Sequence, residues 1–322
     1  MVTLNVVKTK EIAGPRLNKK SKWKAFLHWL PFYIMALPGL AYLLMNNYVP
    51  LLGLQIAFKD FSYKKGMWAS KWIGLKNFKF LFKTDDAWIM VRNTLFYNIV
   101  WILLGIILGV AAAILINEVI GKLKKKFYMT AILLPYLMSA VIIAYLVYAY
   151  LSPASGLFTK ALEDLLGSAP QFYQESKFWP FILTFVHEWK QIGFGMILYL
   201  SSILGIDQSL YEAATLDGAT RWQQHKSITL PLLKPTIIML FILNLGQIFR
   251  SDFGLFYQVP MNQGVLYDAT QTIDTYVYRA LLKFNDVGMS SAASFIQSVV
   301  GFVFIVTANK IISKLDKSSA LF

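Results

Sequence analysis

The chain has no cysteine, which excludes disulfides, thiolate metal sites and a cysteine nucleophile. Histidine is nearly as scarce: His28, His187 and His225 lie far apart and show no metal-ligand spacing. Charged side chains make up only 15% of the 322 residues, against ~25% in soluble proteins. No G-x-x-x-x-G-K-[ST] loop occurs, so the chain lacks the phosphate cradle of a P-loop ATPase. No segment pairs a nucleophile with a base, which leaves a membrane enzyme without a visible site.

What the sequence has instead is apolar residues, 57% of the chain against ~45–50% in soluble proteins. Aromatics reach 16%, and the mean hydropathy is +0.51. These residues cluster into long blocks that one soluble core could not bury. They run from Ala25 to Leu52, then over Ile89–Ile116, Phe127–Leu151, Trp179–Leu204, Pro235–Tyr257 and Gly288–Ile312. Each meets the ~20 residues a membrane helix needs, and lipid offers the backbone no partner outside a helix. The first block is too long for a signal-peptide core and no A-x-A-like site closes it, so it reads as a retained anchor. The pattern predicts an all-α integral membrane protein with six transmembrane helices. A basic tail covers residues 1–24 and a transmembrane domain covers residues 25–322.

Lysine and arginine total 31 against 17 acidic residues, a net charge of +14. On a soluble protein that excess would point to nucleic acid. Here the basic residues flank apolar blocks, so orientation against an anionic membrane surface accounts for them without nucleic acid. Six spans put both termini on one side. That side would carry seven basic residues in the tail, then Lys122, Lys124, Lys125 and Lys126 within residues 117–126. It would also carry Arg221, Lys226 and Lys234 in the 205–234 loop, and Lys310, Lys314 and Lys317 near the C-terminus. Residues 53–89 hold seven lysines on the other side, but long loops weigh less in the charge rule. Four lysines in one ten-residue loop place both termini in the cytoplasm. Within the second span Gly105 and Gly109 form a G-x-x-x-G pair, readable as close helix packing or as ordinary glycine enrichment. Trp23, Trp29, Trp72 and Trp179 fall near span ends, where aromatic-belt anchoring suits them better than sugar stacking.

The 205–234 loop carries the most local structure. Ser209 and Glu212 fit a capping box that starts a short helix. Gly218 is placed to end it in a left-handed conformation. Thr220 and Gln223 repeat the box and start a second helix, which Pro231 interrupts or kinks. Ala213 and Ala214 leave a small, flat surface against which another protein could pack, although local chemistry alone explains the shape.

Glu212-Ala-Ala-x-x-Asp217-Gly218-Ala219, followed by Ile228-Thr-Leu230-Pro231-x-x-x-Pro235, resembles the EAA loop of binding-protein-dependent ABC importer permeases. Phrases similar to the oligosaccharide and polysaccharide (LplB-like) permeases recur in order along the chain. They are Ala57-Phe-Lys-Asp60, Trp72-Ile-Gly-Leu-Lys-Asn-Phe78, Arg92-Asn-Thr-Leu95, Leu134-Pro-Tyr-Leu-Met-Ser139, Gly193-Phe-Gly-Met196 and Ile273-Asp-Thr-Tyr-Val-Tyr-Arg279. The resemblance covers roughly residues 50–315. His225-Lys226 departs from it, since relatives more often have aromatic or hydrophobic residues there.

The resemblance implies a type I ABC importer permease fold. In it Glu212, Ala213, Ala214, Asp217, Gly218 and Ala219 couple to a cytoplasmic ATPase: the helix docks in a cleft, Glu212 meets a basic residue, and Gly218 supplies the turn. It implies a second homologous permease, two ATPase subunits that bind ATP and Mg, and an extracellular lipid-anchored solute-binding protein that delivers a glycan. This chain itself would carry no cofactor. Closure of the ATPases would tilt the spans from inward-facing to outward-facing. A Gram-positive bacterial plasma membrane fits this pattern.

Ionisable residues inside spans are functional candidates, because charge in hydrocarbon needs a partner. Glu188, Lys190 and Gln191 fall in the fourth span, and Glu188 and Lys190, two apart, face different directions. Asn244, Gln247, Arg250 and Asp252 fall in the fifth. With Tyr145 they offer the mixed donors and acceptors that sugar hydroxyls require; alternatively they bond neighbouring helices or the second permease. Residues Thr272–Phe284 read as a short helix facing the binding protein or as a solvated loop. Two rival functions stand. An ion-coupled secondary transporter would use midplane carboxylates, of which only Glu188 qualifies well, and an ABC importer permease could carry a non-sugar solute.

Overall fold

A computed structural model describes residues 19–79 and 85–315. Most of the expected basic tail, residues 1–18, lies outside the described residues, as do Lys83 and Lys317. The described residues up to Leu54 form one compact unit and those from Gln55 onward a second. The first unit is built on α1 (Lys19–Leu43), which contains Pro31 and Pro38 and runs on through a π-turn at Leu44–Tyr48. A membrane helix tolerates such prolines through local adjustments of this kind.

The second unit contains α2 (Asp85–Glu118), α3 (Lys122–Leu133), α4 (Ala140–Leu151), α5 (Leu157–Leu166), α6 (Trp179–Leu204) and α7 (Gln208–Leu216). It continues with α8 (Arg221–Gln224), α9 (Leu230–Leu245), α10 (Phe253–Gln258), α11 (Ile273–Phe284) and α12 (Val287–Leu315). Among the described residues, four helices are unbroken, long and apolar enough to cross a membrane, and the count is six if each of two bent helix pairs is one span. An antiparallel pair of two-residue strands, Lys59–Asp60 with Lys71–Trp72, closes the connection after the first span. There Lys59 is buried: its Nζ donates to the Met67 carbonyl at 2.9 Å and lies over the Trp72 ring.

α2 and α6 pack side by side along the unit. Gly109 permits this, because a Cβ there would sit 3.0 Å from the Tyr199 ring; at Gly105 the nearest atom is Glu188 Oε2 at an ordinary 3.7 Å. Close packing thus explains Gly109 but not Gly105. Gly193 brings α6 against α3, where a Cβ would collide with the Ile132 carbonyl and lie 2.7 Å from Leu133 Cα. One core, with Tyr97, Trp101, Leu183 and Phe256, fills the unit near α4 and α10. A second, with Ala113, Met196, Ile203 and Leu233, fills the end toward α7.

Three expectations need correction. The single helix over 127–151 is two helices bent by 97°, because a tight turn over Leu134–Leu137 contains Pro135 and extended Ser139 caps α4, accepting from Ile142 N at 3.3 Å. The fifth span starts at Arg221 rather than Pro235 and stops at Leu245 rather than Tyr257. A π-turn over His225–Thr229 absorbs Pro231 without ending the helix. Lastly, Trp179 is no interfacial anchor: it is fully buried and donates Nε1–H to the Phe172 carbonyl at 2.7 Å. The helical reading of Thr272–Phe284 holds as α11, whose Thr272–Thr275 capping box is present. Arg279 on that helix is buried over the Tyr267 ring and bonded to Gln271, and burial pushes its pKa down.

Candidate functional site

Two features stand out, a helical elbow at one end of the bundle and a cavity between helices. The elbow begins where the chain bends 71° from α6 into α7. Its N-cap is not Ser209 but Asp207, whose Oδ1 accepts from Ser209 N at 3.0 Å. The extended backbone at Asp207 starts the helix earlier, which moves Ser209 and Glu212 inside it and leaves no Ser209–Glu212 box. That backbone N–H of Ser209, and then its hydroxyl, hold the Asp207 carboxyl below its ordinary pKa.

The other end of α7 closes as the sequence predicts. Gly218 has φ +79°, Gly218 N donates to Thr215 O at 3.1 Å, and Ala219 N donates to Ala214 O at 2.9 Å. This pairing is a Schellman motif, which satisfies the last carbonyls of the helix. Thr220 and Gln223 then form the expected capping box for α8. Two side-chain bonds tie the arms together: Tyr211 to Thr229 at 2.9 Å, and Gln224 Nε2 to Thr215 Oγ1 at 2.9 Å.

Glu118, at the end of α2, lies 3.8 Å from Arg221 and 3.5 Å from His225. The lysines expected in a loop over 117–126 instead form the first turn and a half of α3, with only residues 119–121 connecting it to Glu118, and the elbow shares this end of the bundle. His225, which departs from the family pattern, is a clamp between Glu118 and Thr229. Glu212, Ala213, Asp217 and Gly218 are exposed, while Ala214 and Ala219 are half-buried. Sequence reasoning missed Leu216 and Trp222 beside them, 90% and 73% exposed. Their signal was apolar side chains in an otherwise polar loop.

The cavity has a volume of about 400 Å³ and lies between α2, α6 and α9. Of the intramembrane residues singled out above, Glu188, Gln191, Asn244 and Gln247 all line it. Gln247 does so from the turn after α9 rather than from the helix itself. Asn98, Trp101 and His187 also line it, and most of the remaining wall is apolar. The sequence hid them because His187 looked isolated and Asn98 sits in a span 89 residues upstream of it. Tyr145, Arg250 and Asp252 lie elsewhere. Tyr145 is 66% exposed on α4, and the Arg250 carbonyl accepts from Asn98 Nδ2 at 2.9 Å. Asp252 caps α10 through Leu255 N and pairs with Lys190 at 3.4 Å. Glu188 and Lys190 do not pair with each other; Glu188 Oε1 instead faces His187 Nδ1 at 3.3 Å.

Comparison with known proteins fits this geometry. The family model for the binding-protein-dependent transport system inner membrane component matches residues 102–317. Protein LplB of Bacillus subtilis (strain 168) is 33% identical over 93% of this chain and 94% of its own length. The polygalacturonan/rhamnogalacturonan transport system permease protein YteP of the same organism is 34% identical over 97% of this chain and 99% of its own. A crystal structure of a bacterial ABC transporter involved in import of the acidic polysaccharide alginate superimposes with a TM-score of 0.83 and 32% identity, covering 92% of this chain and 99% of that one. The fold is that of a type I ABC importer permease with multiple membrane-spanning helices, and the chain belongs to the family of inner membrane components of binding-protein-dependent transport systems.

Proposed function

We propose that this chain is the permease subunit of an ATP-driven importer that takes up oligosaccharides or longer glycans handed over by an extracellular solute-binding protein. One observation carries the reading: a rigid elbow, closed by Gly218 and tied by Tyr211 and Gln224, that presents Glu212, Ala213, Leu216 and Trp222 to solvent. An exposed apolar tip on a stiff mount suits a surface that another subunit covers. That subunit is an ATPase carrying ATP and Mg. Glu212 meets a basic side chain in its cleft, Ala213 and Ala214 allow close approach, and Asp217, Gly218 and Ala219 form the turn. Because α8 runs through the π-turn into α9, movement of the elbow is delivered directly to a wall of the cavity. Glu188, Gln191, Asn244 and Gln247 line the sugar path, whereas Tyr145, Arg250 and Asp252 act outside its wall.

The assembly contains a second homologous permease, two ATPase subunits and a lipid-anchored binding protein. Support for the binding protein comes from the similar bacterial alginate ABC transporter, crystallised in complex with an alginate pentasaccharide-bound periplasmic protein. The elbow lies beside the lysine-rich start of α3, which by the charge rule faces the cytoplasm together with both termini, residues 1–24 forming a basic tail on the permease domain over 25–322. The proposed membrane is the plasma membrane of a Gram-positive bacterium; two similar permeases come from Bacillus subtilis. Reconstitution in liposomes tests the reading: glycan accumulation requires the ATPase and ATP. Accumulation driven by a proton or sodium gradient without the ATPase would replace it with an ion-coupled carrier.

A further inference from the structure

We infer that the cavity between α2, α6 and α9 admits uncharged sugars and disfavours uronates, and that Glu188 sets this preference. The inference rests on the reading of this cavity as the sugar path.

Glu188 is only 6% exposed, yet its Oε2 has no hydrogen-bond partner among the described residues. A buried acceptor without a donor is costly unless a ligand or water supplies one. Gly105, opposite at 3.7 Å from Oε2 to its would-be Cβ, puts no side chain in the way. The side-chain amides of Gln191, Asn244 and Gln247 share the wall and make no hydrogen bond among the described residues. Asn98 uses Nδ2 on the carbonyls of Thr94 and Arg250, so its oxygen is what remains for the cavity.

Sugar hydroxyls both donate and accept, so they complement every one of these groups. A uronate carboxylate only accepts: the amide N–H groups of Gln191, Asn244 and Gln247 can donate to it, but Glu188 cannot, and no lysine or arginine lines the cavity to offset its charge. The nearby Lys190 is held by Asp252. The aromatic rings of the wall are already engaged: His187 stacks on Trp101 at 3.7 Å, Phe194 stacks on Tyr136 at 4.9 Å, and Tyr199 is buried. Recognition therefore runs through polar edges, and the one acid among them meets an acidic glycan with like charge. Two relatives bear names that refer to acidic glycans, alginate and polygalacturonan. The charge of this wall would separate neutral from acidic cargo on a shared fold.

The test uses the complete importer in liposomes, supplied with ATP and a mixture of galacto-oligosaccharides and oligogalacturonates of matched length. The readout is the ratio of accumulated uronate to neutral glycan; because the binding protein is the same in every sample, changes in this ratio belong to the permease. Glu188→Gln, which keeps the shape and removes the acid, raises the uronate ratio by about tenfold, the scale of two like charges ~6 Å apart at an effective dielectric of ~40. Asn244→Lys moves the ratio the same way by adding a cation to the wall. Sugar uptake with a ratio that neither variant moves, or that Glu188→Gln moves toward the neutral glycan, overturns the inference. Absence of ATP-dependent accumulation of either glycan instead overturns the sugar-path reading beneath it.

Discussion

Tyr211 and Thr229 share a hydroxyl–hydroxyl hydrogen bond of 2.9 Å that joins the exposed α7 to the helix forming a wall of the cavity. Thr229 is buried inside the π-turn, so the bond anchors the elbow to the one irregular turn between α8 and α9. Tyr211→Phe removes it at a cost of about 0.5–1.5 kcal/mol. The expected result is intact assembly with fewer glycans imported per ATP hydrolysed, read as an uptake-to-hydrolysis ratio. An unchanged ratio would mean the bond transmits nothing.

Gly218 owes its identity to backbone conformation rather than space. Its φ is +79°, and no atom lies within 4 Å of a Cβ placed there. Left-handed backbone costs other L-residues roughly 1–2 kcal/mol, and asparagine bears it best. Gly218→Asn should therefore retain ATP-dependent uptake, Gly218→Ala should lower it, and Gly218→Pro, which fixes φ near −65°, should abolish it. Glu212→Arg should abolish uptake as well while leaving the elbow folded. Immunoblots of membranes should show each variant present at wild-type level.

Gly193 is fixed by the opposite cause. The α3 backbone at Ile132 and Leu133 fills the space a side chain would need, and backbone cannot step aside. Gly193→Ala should destabilise the purified permease by about 1–3 kcal/mol, the usual scale of overpacking. The unfolding midpoint in detergent reads this. Gly105→Ala, with only an ordinary contact to meet, serves as the comparison and should melt near wild type.

Lys190 and Asp252 form a partly buried pair that links α6 to the cap of α10. Asp252→Asn keeps a good capping group but leaves the lysine without its counter-charge. Lys190→Met with Asp252→Asn should be less harmful than Asp252→Asn alone, with a coupling energy of about 0.5–3 kcal/mol. Thermal midpoints of the two single variants and the double variant measure it, and simple additivity would mean the ion pair stabilises nothing.

Much of the architecture was legible because hydrophobic length is a strong signal. The fourth span falls on Trp179–Leu204 in both readings, and the second and sixth differ only near their ends. What failed was decided by hydrogen-bonding choices that hydropathy does not encode. Ser139 caps a new helix in the middle of an apolar run, and His225–Thr229 widens into a π-turn that lets the helix pass Pro231. Asp207 displaced Ser209 as the cap because an equally good capping residue stood two positions earlier. The cavity was half legible: Glu188, Gln191, Asn244 and Gln247 were visible as polar residues in apolar blocks. Asn98 and His187 join them only through the packing of α2 on α6.

Because the chain contains no cysteine, Ala213→Cys on the exposed face of α7 would be its sole thiol. Cross-linking from that thiol, in native membranes carrying the assembled importer, tests the docking elbow most directly. The account predicts a cross-link to the ATPase subunit that changes in yield with ATP, and no reaction with a membrane-impermeant maleimide added outside intact cells. Labelling from outside, with no cross-link to the ATPase, would contradict it.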